Sequence, residues 1–189
     1  MSGSEQVFDW LADSGTPALY LHPLNLAWGK DGPEADLAHF SRVAGLLDQH
    51  PDYWLALFRC DDWREQLVAA TCALVGRKRC FREEFQNVIR GGSWISPQLV
   101  AAFGLLHPSE ATDWLTERWH DGLGTYPYPP LKELGAIREV LRHLAPQEIP
   151  DSFDTATLPP MERDEWSVGS DVASEHWQFW QPRLEADLL

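Results

Sequence analysis

The chain has 189 residues, 44 % of them hydrophobic, which suits one domain with a substantial core and argues against wholesale disorder. Its formal net charge is −14, from 29 acids against 15 bases, a field that argues against a nucleic-acid partner and favours a basic protein. Ten tryptophans are a heavy load for this length; most are expected in the core or in helix-packing seams, and a surplus favours an aromatic-anchored binding surface.

The charge is uneven, since the residues from Ala145 onward carry ten acids and two bases. Arg77-Lys78-Arg79 makes the middle of the chain locally basic, and such a triplet past a helix end complements the helix dipole. Cys60, Cys72 and Cys80 match no usual zinc spacing and read as free thiols of a reducing cytosol. The N-terminal residues show no basic region followed by an apolar one, and no apolar run approaches a membrane span. The expected location is cytoplasmic, with no membrane partner.

Ser4 is placed to cap a short helix that runs through Asp13, with Val7, Trp10 and Leu11 on one side. Residues 16–29 hold two prolines and an Ala-Leu-Tyr-Leu run, and read as extended or strand-like. Asp31-Gly32-Pro33 then opens a helix, with Pro in the first turn and Glu34 and Asp36 at the positive end of the dipole. Leu37, Phe40, Ala44 and Leu47 recur at helical spacing until Pro51. A short helix follows over Asp52 to Arg59.

Asp62, with Glu65 three residues on, reads as a capping-box variant ahead of a helix that is apolar almost all round over Leu67 to Val75. Cys80 to Ile89 is amphipathic instead, with Phe81, Phe85, Val88 and Ile89 on one face and Arg82, Glu83 and Glu84 elsewhere. Gly91-Gly92 breaks it. Ser96-Pro97 starts a second helix that is apolar all round, as far as His107-Pro108. In the helix after Ser109, Ala111, Trp114, Leu115 and Trp119 share a side.

These elements repeat. Gln66 to Ala70 and Gln98 to Ala102 spell the same five residues, QLVAA, 32 positions apart, and each copy follows a tryptophan. A third, degraded copy lies within Leu131 to Leu144, with Leu134, Ile137, Leu141 and Leu144 on one face and Arg138, Glu139 and Arg142 on another. One polar face is the expected form of a terminal cap. A period of this size marks stacked helical pairs, because one pair cannot bury its own apolar face. From Ala145 to Val168 the chain is rich in Pro, Asp, Glu, Ser and Thr and reads as a surface wrap or partial disorder. Ser170 to Leu188 reads as a last helix carrying Trp177, Phe179 and Trp180. The expected organisation is an N-terminal segment over 1–30, a repeat domain over 31–146 and an acidic tail over 147–189.

Asp62-Trp63-Arg64 with Leu67-Val-Ala-Ala70, and Gly92-Ser-Trp-Ile-Ser-Pro-Gln-Leu-Val-Ala-Ala102, resemble the short HEAT-type repeats of bacterial proteins over roughly Pro51 to Pro146. The resemblance implies an all-α fold, a short right-handed stack of antiparallel helix pairs. It also implies a protein-binding role without catalysis. Acidic bacterial chains of this size without enzymatic motifs look like the immunity proteins encoded beside polymorphic toxins, which implies a basic toxin or effector domain as partner.

Catalytic signatures are weak. Glu117 and His120 stand one helical turn apart, half of a carboxylate-bridged metal site, but no second Glu-x-x-His exists. A metal enzyme using that pair is the first alternative reading, and a structural subunit of a larger assembly is the second. Gly92-Ser93-Trp94 lacks the context of a nucleophile elbow, and Gly91-Gly92 lacks the rest of a phosphate loop. No cofactor is implied. Tyr126 to Lys132 matches the pattern of a polyproline ligand, but a stiff connector whose tyrosines pack on the stack is the better reading.

What remains is a surface. Repeat equivalence places Asp61, Asp62 and Trp63 in line with Ser93 and Trp94, and with Trp119 and Asp121 at the next turn. Acids beside aromatics suit a basic, apolar-flanked partner. For Trp63 and Trp94 a role as wedges that set the spacing of successive helices is the better reading.

Overall fold

A computed structural model describes residues 3–12, 18–29, 31–124, 130–148 and 158–186. Among these the fold is all-α, with helices α1 (Gly3–Ala12), α2 (Pro33–Asp48), α3 (Pro51–Arg59), α4 (Trp63–Val75), α5 (Arg82–Arg90), α6 (Ser96–Leu106), α7 (Pro108–Gly124), α8 (Leu131–Leu144) and α9 (Pro160–Glu185). No described helix is long and apolar enough to cross a membrane. The chain divides into two compact units, Met1–Ile95 with Pro182–Leu189, and Ser96–Gln181. The division falls inside the 31–146 segment that the sequence marks as one repeat domain.

In the first unit α4 is the inner helix. Every residue from Gln66 to Val75 is buried, as an apolar-all-round sequence requires, and α2 and α3 pack against it. Trp54, Phe58, Phe81 and Phe85 join α3 to α5 through ring contacts of 4.8 to 5.4 Å. Burial raises the Cys72 thiol far above its ordinary range, so it stays protonated in this core.

Residues 18–29 are not strand-like. They form a 3-10 turn over Leu19–Leu24, entered through Ala18 and left through Leu26, both at positive φ. Asp36, buried at the start of α2, fixes the turn: His22 Nδ1 lies 2.5 Å from its Oδ2, and the Gly29 amide donates to the same oxygen at 3.1 Å. One buried carboxylate thus holds two non-glycine residues in a backbone region they rarely adopt.

In the second unit α6 takes the inner place, with α7 and α8 against it. Both copies of QLVAA are therefore buried helix, one in each unit. The third copy, α8, keeps Arg138, Glu139 and Arg142 out of the core, but is covered more widely than a one-faced cap. Leu131, Glu133 to Ile137, Val140 and Leu141 are all buried, because α9 crosses it closely. Gly135 and Gly169 permit that crossing: an added Cβ would lie 2.3 Å from the Trp166 carbonyl oxygen in one case and 1.9 Å from that of Lys132 in the other. Helix α9 begins at Pro160, ten residues before the expected Ser170, and buries Trp166, Gly169, Ala173, His176, Trp177 and Trp180 as one stripe. Pro159-Pro160 followed by Glu162 is a helix start of the ordinary kind.

Glu133 is 3 % exposed, and its Oε1 accepts from Arg118 Nε at 2.6 Å, while Oε2 is buried with no donor among the described residues. Burial therefore outweighs the arginine, and the carboxyl is held above its ordinary range. A carboxyl raised in this way favours the folded state at pH below its unfolded value, roughly 4.3, and that contribution is lost as pH rises through the native value. Urea unfolding across that interval is expected to show the natural chain losing stability relative to Glu133→Gln, with the difference levelling off above it.

Candidate functional site

The turn between α3 and α4 and the turn after α5 meet over one cleft of about 500 Å³ in the first unit. Helix α3 stops at Arg59, because Cys60 turns extended while its amide still donates to the Ala56 carbonyl at 3.1 Å. Asp62 then caps α4, accepting from the Arg64 amide at 2.9 Å, as its place in the sequence predicts. At the other side α5 ends through Gly91 and Gly92. Gly92 sits at φ +76°, a conformation that favours glycine, and its amide donates to the Ile89 carbonyl at 3.0 Å.

Gln66 ties the two turns together. Its Nε2 donates to the Cys60 carbonyl at 2.8 Å, and its Oε1 accepts from Ser93 Oγ at 2.5 Å. Both ends of a buried amide are thereby used, as burial of a polar side chain demands.

The link sets Ser93 and Trp94 opposite Trp63. The two indole rings lie 5.2 Å apart at 58°, and Trp94 remains 59 % exposed, whereas Trp54, Trp119, Trp166, Trp177 and Trp180 are buried. Trp63 is half-buried and carries the Arg64 guanidinium 4.5 Å from its ring centroid, while Arg64 Nη1 also reaches both carboxylate oxygens of Asp62 at 3.3 Å. Asp61 is exposed and Glu84, from α5, is half-buried; both line the cleft, and neither has a hydrogen bond or ion pair among the described residues. Arg59 lines it as well. Beside the cleft, the Glu65 carboxyl is held above its ordinary range, chiefly by burial and further by the Asp62 charge.

Of the seven residues that repeat equivalence places on a partner face, Asp61, Trp63, Ser93 and Trp94 line this cleft, and Asp62 holds its edge. Trp119 does not belong to a surface. It is 1 % exposed in the core of the second unit, its ring 5.6 Å from that of Trp166 in an edge-to-face contact. Asp121 is exposed near the end of α7 in the same unit. Gln66 and Glu84 were not on the sequence list, although a lone glutamine heading an otherwise apolar run signals a buried polar group that must find partners.

Glu117 and His120 are exposed on α7, and the described residues contain no group of three or more His, Cys, Asp or Glu side chains placed to hold a metal. Most of the Tyr126 to Lys132 segment lies outside the described residues. No family model, curated protein or solved structure matches the chain, so the cleft and its chemistry are the ground for a functional reading.

Proposed function

We propose that this chain is a non-catalytic, cytoplasmic scaffold of HEAT-like helical repeats that binds a basic protein, in the manner of an immunity protein holding a toxin or effector domain. The observation that carries the reading is Trp94, an indole 59 % exposed whose ring lies 5.2 Å from that of Trp63 at a tilt of 58°, in a cleft also lined by the carboxylates of Asp61 and Glu84. A large aromatic left in water beside uncompensated charge costs stability, and interfaces recover that cost when a partner covers it. The formal charge of −14 would speed capture of a basic partner without fixing which one.

Tagged natural chain and Trp94→Asp, each incubated with the product of the neighbouring gene and with cell extract, test the reading. The natural chain is expected to retain a protein identified by mass spectrometry as basic, and Trp94→Asp to retain at least tenfold less at equal fold content. Equal retention by both would remove the cleft from the account.

A further inference from the structure

Of the three large hydrophobic side chains that the described residues expose, Trp94 lines the cleft, and Met161, 76 % exposed, and Val168, 48 % exposed, share helix α9. Seven residues separate these two, close to two full turns, so they stand one above the other on one side of the helix. Half-buried Val172, one turn further on, continues the line. The buried stripe of α9, from Trp166 to Trp180, is a different set of residues, so the row lies off the face by which α9 packs.

An acid follows each member of the row by three residues: Asp164 after Met161, Asp171 after Val168 and Glu175 after Val172. All three acids are exposed, and none has an ion pair or hydrogen bond among the described residues. Asp164 sits near the positive end of the helix dipole. Asp171 and Glu175 lie beyond its reach and repel each other one turn apart, so the helix itself gains nothing from them.

We infer that this face of α9 docks a cationic amphipathic helix of another protein. The apolar ridge of that helix lies on Met161, Val168 and Val172, and its lysines or arginines meet Asp164, Asp171 and Glu175. Charge fixes the occupant: a second copy would bring the same acids against the row, and an anionic lipid or nucleic-acid surface is repelled. A row spaced by seven and four residues matches the ridge of a helix, whereas an extended strand repeats its side chains every second residue. From Met161 to Glu175 the face runs for about 21 Å, room for some four turns of a partner helix. It uses no residue of the cleft and goes beyond the reading built on Trp94.

The probe is a blocked peptide of three copies of the heptad Leu-Lys-Ala-Leu-Lys-Ala-Ala, titrated into the isotopically labelled full chain. One comparison peptide carries glutamate for every lysine, and another holds the same residues reordered so that leucines fall on all sides. Saturable shifts at the amides of residues 161–175 are expected, at least tenfold weaker with either comparison peptide. They are also expected to be at least tenfold weaker in Val168→Lys and in Asp164→Asn/Asp171→Asn/Glu175→Gln, and unchanged in Trp94→Asp. A thermal midpoint close to that of the natural chain reports an intact fold in each variant. Equal binding of the reordered peptide, undiminished binding by Val168→Lys, or no shift in α9 overturns the inference. Dimerisation of the free chain that Val168→Lys abolishes would name a second copy as occupant and overturn it too. If Trp94→Asp loses the peptide, the peptide sits in the cleft, and the α9 assignment fails while the cleft reading stands. If the peptide binds α9 as expected while partner capture is indifferent to Trp94, the cleft reading fails and the α9 assignment stands.

Discussion

Replacing Trp119 by alanine is expected to lower stability by about 3–5 kcal/mol, the usual cost of removing a large aromatic from a close-packed core. Its indole is 1 % exposed and meets Trp166 edge to face at 5.6 Å, and Trp166 itself lies within 5.8 Å of the Arg138 guanidinium. The space would open on the side of Trp119 that faces Trp166 of α9. Because domains of this size are stable by only about 5–15 kcal/mol, the variant should lie near the edge of folding at growth temperature. Trp94→Ala is the matched control, since the lost ring is more than half exposed and the change should stay within about 1 kcal/mol. Urea unfolding of the two variants beside the natural chain checks the contrast. Equal destabilisation would mean that Trp94 is as much a core residue as Trp119.

A second large effect is expected at the crossing of α8 and α9. In Gly169→Ala the new methyl group would stand 1.9 Å from the Lys132 carbonyl oxygen and 2.8 Å from its carbon, both backbone atoms of a helix that cannot step aside. Alanine is the better helix former by about 1 kcal/mol, which works against the loss, but overpacking a closed contact costs about 1–3 kcal/mol and more when backbone must move. A net loss of about 2 kcal/mol is the expected result. Faster amide exchange should concentrate in α9, and the thermal midpoint should fall. Gly92→Ala is milder, because an added Cβ there meets nothing within 4 Å and only the positive φ opposes it.

The parts of this fold that were legible in the sequence are those with one dominant signal. An all-round apolar run announced α4 and α6, and Asp62 with Glu65 three residues on announced the cap that now accepts from the Arg64 amide. The parts that were not legible are those where two signals compete. Ala111, Leu115 and Trp119 recur every fourth residue and are buried together, yet aligning helix ends by repeat moved Trp119 to a surface. Local spacing on one helix face was the stronger physical constraint. Composition around Pro159 and Pro160 suggested coil, although two prolines followed by an acid also open a helix, as they do here.

Two glycines gave no signal at all. Gly135 and Gly169 weaken a helix by propensity alone, and only the partner helix reveals why a Cβ is forbidden at each. On α8 the polar residues Arg138, Glu139 and Arg142 do stay out of the core, but Glu133, Gly135 and Ala136 are buried as well, since the sequence of a helix does not say how many neighbours will cover it. The cleft itself was half legible. Repeat equivalence brought Trp63 and Trp94 to one place, where their rings meet at a tilt, 5.2 Å apart. The buried glutamine that joins the two turns, and the glutamate that α5 contributes, depend on side-chain geometry that no spacing rule contains.

Hydroxyl-radical footprinting of the purified complex, read tryptophan by tryptophan, tests the cleft as the binding site most directly. Oxidation in the free chain should be fastest at Trp94 and slow at Trp119 and Trp180, and partner binding should slow Trp94 several-fold and Trp63 with it, leaving the buried tryptophans unchanged. A saturated complex in which Trp94 is oxidised as fast as in the free chain would contradict the account.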